Sequence, residues 1–132
     1  MKVKSEQEML ELGRNFDVSQ RVIELIGDVG VGKTTFVRGL AEGLGVKEAI
    51  SSPSFTISKT YALPGGGNLV HYDFYRLAEP GLMKEDLEEN INNPENIVVV
   101  EWADSVAEML PDEHRKVYIN YVDENTREIK VV

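Results

Sequence analysis

Gly27, Asp28, Val29, Gly30, Val31, Gly32, Lys33 and Thr34 follow the pattern G-x-x-x-x-G-K-T, and residues of these types at this spacing suit the holding of a polyphosphate. Wrapping a triphosphate in backbone N–H groups needs close approach and unusual dihedrals, which glycine adopts at little steric cost. A helix starting at the end of the loop adds unpaired N–H groups and a positive dipole end facing the β-phosphate. Lys33 brings a point charge to the β- and γ-oxygens, and the Thr34 hydroxyl is placed to ligate Mg²⁺. Asp28, Gly30, Val31, Gly32, Lys33, Thr34 and the adjoining Thr35 are therefore the expected nucleotide-contacting positions. The bland alternative is a glycine-rich turn that binds nothing. The context argues against it, because the apolar stretch "RVIEL" precedes the loop and an amphipathic stretch follows.

A metal held beside such a loop needs a carboxylate at the end of a buried strand. Glu101 stands directly after the apolar run "IVVV" and fits that place, with glutamate where aspartate is more usual; otherwise it is a solvated charge at a strand end. Trp102 either lines the nucleotide pocket or fills the core. In "HYDFYR", period-2 alternation sets His71, Asp73 and Tyr75 on one face and Tyr72, Phe74 and Arg76 on the other. Asp73 could orient an attacking water or a ligand of the metal, or be an exposed charge, and periodicity leaves these two readings equal. A lone histidine such as His71 is more often a structural hydrogen-bonding residue than a catalyst. The hydroxyls of "SSPSFT" lie where switch segments meet a γ-phosphate, although Ser-Pro pairs also mark simple turns.

The elements that must position these residues alternate along the chain. Ser5 and Glu8 have capping-box spacing, and Met9, Leu12 and Phe16 then share a face, which predicts a helix over 6–16. After the loop, Phe36, Val37, Leu40, Ala41 and Leu44 form a helical stripe ending at Gly45. "SFTISKTYAL" and "NLVHYDFYRL" read as strands around a "PGGG" turn, followed by a helix near 83–91. "NIVVVEWA" reads as a buried central strand, and "KVYINYV" and "REIKVV" as a closing hairpin over "DENT". With no repeat or linker, the expectation is one α/β domain over 1–132: a mixed β-sheet flanked by helices, of the kind that carries phosphate-loop NTPases.

Composition bounds the partners. The chain has 132 residues, no cysteine, and 14 basic against 23 acidic residues, for a formal net charge of −9. Disulfides and thiolate metal sites are excluded. A broad basic surface gripping DNA or RNA by its phosphates is not expected. No apolar run is long enough to span a bilayer, and "MKVKSEQEML" lacks a hydrophobic leader segment, so the expected location is the cytoplasm, with no membrane partner.

"GDVGVGKTTFVRGLAEGLGV", "SSPSFT", "HYDFYRL" and "VEWAD" occur in an order and spacing that resemble the TsaE (YjeE) family, small bacterial ATPases needed to make threonylcarbamoyladenosine in tRNA. The loop alone is shared by many proteins; its combination with the other three elements is specific. The resemblance implies an ATP- and Mg²⁺-dependent protein acting with TsaB and TsaD, the latter transferring the threonylcarbamoyl group to adenosine 37 of ANN-decoding tRNAs. Contact with tRNA would be indirect. Carried over by position, Lys33 and Thr34 take the loop-lysine and metal-hydroxyl roles, Glu101 the metal-site glutamate, and Asp73 the aspartate of the His-x-Asp-x-Tyr-Arg element. Thr56 falls in the switch-like segment, Trp102 accompanies Glu101, and Ser5 lies where the amino-terminal segment approaches the base. Two departures stand out: Ser54 replaces a common threonine, and the chain stops at Val132, short of the tail of some members.

Three other classes compete. A small-molecule kinase would need an acceptor site and an arginine-rich lid, and the arginines after Lys33 are few and scattered. A GTP-driven switch would need an [NT]-K-x-D segment, which is absent. A partner-binding module that keeps ATP without hydrolysing it is harder to separate by sequence.

Overall fold

The computed structural model describes residues 1–51, 53, 57–75 and 81–132. Its strands are β1 (Lys2–Val3), β2 (Val22–Ile26), β3 (Ser58–Ala62), β4 (Asn68–Asp73), β5 (Ile97–Glu101), β6 (Arg115–Asp123) and β7 (Thr126–Val131). Helices α1 (Glu6–Arg14), α2 (Lys33–Gly43) and α3 (Leu82–Asn92) flank them, with a 3₁₀ helix over Ala103–Met109. One seven-stranded sheet runs in the order β1-β7-β6-β2-β5-β4-β3. Its centre, β6-β2-β5-β4, is parallel, and the outer pairings β3–β4, β6–β7 and β1–β7 are antiparallel. The mixed sheet with flanking helices is the expected architecture.

Burial of both faces explains why the central strands carry apolar runs rather than alternating ones. Leu25, Val99 and Ile119 face the core beneath α1 and α2, while Val22, Val98 and Val100 face the one that contains Leu87 of α3 and Val106 of the 3₁₀ helix. Successive residues of a strand point to opposite faces, so Glu101, two places after Val99, projects on the α1–α2 side. Leu69, in that same core, fixes the parity of β4 in the same way, and His71 and Asp73 also project there. The alternation read from "HYDFYR" thus holds through Asp73, where β4 ends; Arg76 lies outside the described residues.

Helices α1 and α2 meet backbone to backbone. A Cβ on Gly39 would sit 2.2 Å from the Leu10 carbonyl oxygen, and one on Gly13 only 2.3 Å from that of Phe36. Only glycine permits this approach, and it brings the start of α1 to the phosphate loop. Phe16 and Phe36 close the contact edge to face, ring centroids 5.2 Å apart.

Several boundaries differ from the sequence reading. Helix α1 stops at Arg14 because Asn15 caps it, its side-chain amide donating to the Glu11 carbonyl. Strand β1 was not expected: two residues carry no periodicity, and pairing of Lys2 with Glu128 and Val3 with Arg127 makes it a strand. The 3₁₀ helix also went unread, since it is too short for a 3.6-residue stripe; buried Ala103 and Val106 hold it to the sheet. The "PGGG" turn is present, with the Leu63 N–H donating to Gly67 O at 3.1 Å.

Candidate functional site

The loop leaves β2 at Ile26 and enters α2 at Lys33, with Gly30 at φ +78° and Gly32 at φ +119°. Side-chain residues are strained at both angles, so the glycines give the loop its curvature. The first helical bond of α2 runs from Phe36 N–H to Gly32 O at 3.0 Å. The N–H groups of Lys33, Thr34 and Thr35 precede it and emerge at the positive end of the helix, as anion binding requires.

Lys33 is buried, and its ammonium lies at the centre of the site. It donates to the Gly27 carbonyl at 2.6 Å, stands 3.5 Å from Glu101 Oε1 and lies 4.3 Å from the centre of the Trp102 ring. Glu101 is only 4% exposed, which excludes a solvated strand-end charge. Its other oxygen, Oε2, hydrogen-bonds Nε2 of the fully buried His71. Asp73 sits beside Glu101 in the β4–β5 register, also buried, its Oδ1 accepting the Tyr75 N–H at 2.9 Å. Trp102 takes the left-handed conformation, φ +55°, and packs on Tyr75 with ring centroids 4.7 Å apart. Half-buried, it both borders the site at Lys33 and packs against the core that contains Val100 and Val106.

Two clefts open beside the loop. Ser5, Gly30, Val31, Gly32 and Thr35 line one of about 320 Å³, together with Arg127. Ser5 caps α1 by accepting the Glu8 N–H, and Glu8 accepts from the Lys4 N–H, which fixes the entry to that helix against the loop. The second, of about 430 Å³, is lined by Gly27, Asp28, Trp102, Asp104 and Tyr118, so Asp28 belongs to a different opening from Ser5. Thr34 stands half-buried in the first turn of α2. Thr56 and Ser54 lie outside the described residues.

His71 is the structural hydrogen-bonding residue that the sequence suggests, but its partner, Glu101, depends on strand order that periodicity does not give. One contributor has no counterpart in the sequence reading. Arg127 donates to the Val31 carbonyl at 2.9 Å and so ties β7 to the loop, across 96 residues of sequence. No local signal marks it.

Among the described residues, no cluster of three or more His, Cys, Asp or Glu side chains is arranged to hold a metal alone. Mg²⁺ at a phosphate loop needs less: a hydroxyl, one or two carboxylates and substrate phosphates. Thr34 in the first turn of α2 and Glu101, whose Oε1 faces the loop lysine, supply hard oxygens of that kind, and their chemistry fits the ion. The cleft at Ser5 and the glycines has room for a nucleotide portion and walls that suit one.

The model of a family described as threonylcarbamoyl adenosine biosynthesis protein TsaE matches residues 3–129. The chain belongs to the TsaE family. A Streptomyces coelicolor relative, a tRNA threonylcarbamoyladenosine biosynthesis protein TsaE, is 39% identical over 85% of this chain and 78% of its own. TsaE of Bacillus subtilis is 40% identical over 82% of this chain, which spans 66% of that relative's length. TsaE of Haemophilus influenzae is 34% identical over 84% and 69%. The crystal structure of YdiB from Bacillus subtilis superposes with a TM-score of 0.72 at 31% identity, covering 98% of this chain and 80% of that one. The specificity assigned to the four sequence elements together is upheld. No helix among the described residues is long and apolar enough to cross a membrane.

Proposed function

We propose that this protein binds ATP with Mg²⁺ and hydrolyses it in support of threonylcarbamoyladenosine formation at position 37 of ANN-decoding tRNAs, acting through TsaB and TsaD. The observation that carries the reading is the convergence on Lys33: a buried cation held between the loop carbonyl of Gly27 and the Glu101 carboxylate, with Asp73 on the next strand. The names of the relatives supply the pathway.

In this reading the backbone N–H groups of Gly30 to Thr35 take the phosphate oxygens, and Lys33 turns from Gly27 and Glu101 to the β- and γ-oxygens. Thr34 and Glu101 would hold Mg²⁺, which when bound neutralises charge on the phosphates. Asp73, fixed by the Tyr75 N–H, orients the attacking water and accepts its proton. Trp102 covers the lysine and excludes bulk water. With a net charge of −9, the chain meets tRNA through its protein partners. A second reading, ATP retention with slow hydrolysis until a partner docks, is favoured by one observation: Lys33 is engaged by the protein's own groups. Phosphate release from ATP, measured with and without TsaB and TsaD, tests both. Release by the chain alone supports the first, release only with the pair supports the second, and none in either case removes both.

A further inference from the structure

The Glu101 carboxylate is held from both sides. Oε1 faces the Lys33 ammonium at 3.5 Å, and Oε2 hydrogen-bonds His71 Nε2. The last torsion of a glutamate is soft and roughly two-fold, so an unheld carboxylate samples many orientations. His71 removes that freedom. Its ring has no solvent exposure and sits on β4 two residues before Asp73, between the core position of Leu69 and the site. It reaches across to β5 diagonally, since the residue paired with it in register is Val99 and Glu101 lies two further on.

The other ring nitrogen settles which way this hydrogen bond runs. His71 Nδ1 is buried and has no hydrogen-bond partner among the described residues. A buried N–H without an acceptor is costly, and on a charged ring more so, whereas a bare lone pair in the same place costs less. The proton of this hydrogen bond therefore sits on Nε2, which donates to the Glu101 carboxylate.

We propose that His71 is a positioning residue: its Nε2–H holds Glu101 Oε2, so that Oε1 alone is presented to the loop side, where it meets Lys33 in the free protein and Mg²⁺ when nucleotide is bound. The inference rests on the reading of Glu101 as a metal-facing carboxylate. Outer partners that orient a ligand typically change metal affinity 10- to 100-fold when removed.

Two measurements test it. Long-range ¹H–¹⁵N spectra of the wild-type protein without nucleotide should show the proton on His71 Nε2; a bare Nε2 overturns the proposal, whatever the protein does with ATP. Calorimetry of ATP binding with and without Mg²⁺ should then show, for His71→Leu, about 10- to 100-fold less gain from Mg²⁺ than wild type, with the Mg²⁺-free affinity within about twofold. His71→Gln, whose amide nitrogen can stand in for Nε2, should keep the gain within about threefold, and it carries the test if the leucine variant does not fold. A merely structural role would lower melting temperature in both variants and leave the gain from Mg²⁺ untouched, which overturns the proposal. A wild-type protein that binds ATP with no gain from Mg²⁺ refutes the metal reading of Glu101, and one that binds no ATP refutes the proposed function. Both are distinguishable from variants that fail to differ.

Discussion

Replacing Lys33 with alanine should weaken ATP binding and destabilise the fold by amounts that the site geometry bounds. A charge-assisted hydrogen bond contributes about 1.5–3 kcal/mol. In the free protein the ammonium already donates to Gly27 O at 2.6 Å, neighbours Glu101 at 3.5 Å and lies over Trp102. Nucleotide binding therefore exchanges partners rather than drawing a hydrated cation from water. The lower end applies, about 1.5 kcal/mol, or roughly a tenfold rise in Kd. Removing the cation also strips Glu101 of its ion pair. Breaking a buried pair costs about 3–5 kcal/mol, and the hydrogen bond from His71 offsets part of it, leaving about 2–3 kcal/mol. For 132 residues the unfolding entropy is about 0.28 kcal/mol/K, so each kcal/mol lowers Tm by about 3.6 °C, and the variant should melt about 7–11 °C lower. Calorimetric titration with ATP and a thermal melt read both numbers. A folded Lys33→Ala protein with unchanged ATP affinity refutes the loop assignment, and an unchanged Tm refutes the buried pairing with Glu101.

Glu101→Gln removes the anion between Lys33 and His71, so hydrolysis should fall at least tenfold and Tm by about 4–11 °C, equivalent to about 1–3 kcal/mol. Normal turnover at limiting Mg²⁺ would reduce Glu101 to a structural charge. Gly39→Ala should destabilise by about 1–3 kcal/mol despite the better helix propensity of alanine, because its Cβ would overlap the Leu10 carbonyl; Gly65→Ala, with open space around it, is the control. A denaturant midpoint for Gly39→Ala at or above wild type would contradict the close approach of α1 and α2. Burial, and then the hydrogen bond to Asp86, raise the Tyr72 pKa above its ordinary value near 10. Above pH 10 the unfolded chain loses that proton while the folded protein keeps it. Stability from this group is therefore complete below pH 10 and declines by about 1.4 kcal/mol per pH unit as pH rises toward the folded value. Melts of Tyr72→Phe between pH 10 and 11 should fall less steeply than those of wild type; parallel curves would remove Tyr72 from the account.

The loop and its helix were legible because their residues are contiguous: the pattern of Gly27 to Thr34 names the conformation, and the stripe from Phe36 to Leu44 names the buried face. The strand end at Glu101 was legible from the apolar run before it. Partnerships across the sheet were not. His71 meets Glu101 only because β4 and β5 are neighbours in parallel, and Arg127 reaches Val31 only because β7 folds back through β6 to the loop. The glycines of α1 and α2 escaped notice because the residues they approach, Leu10 and Phe36, belong to the facing helix. For Asp73, left undecided by alternation, register and burial remove the exposed-charge reading, since it stands beside Glu101 rather than in solvent.

The central claim is that these buried charges are arranged to hold and cleave a nucleoside triphosphate. Phosphate release from Mg²⁺–ATP should be followed for the purified protein and for Lys33→Ala and Glu101→Gln, each with and without TsaB and TsaD. Release by the wild-type protein, alone or with the pair, and its loss in both variants are expected. Release that persists in both variants, or no release by the wild type even with the pair present, would contradict the claim.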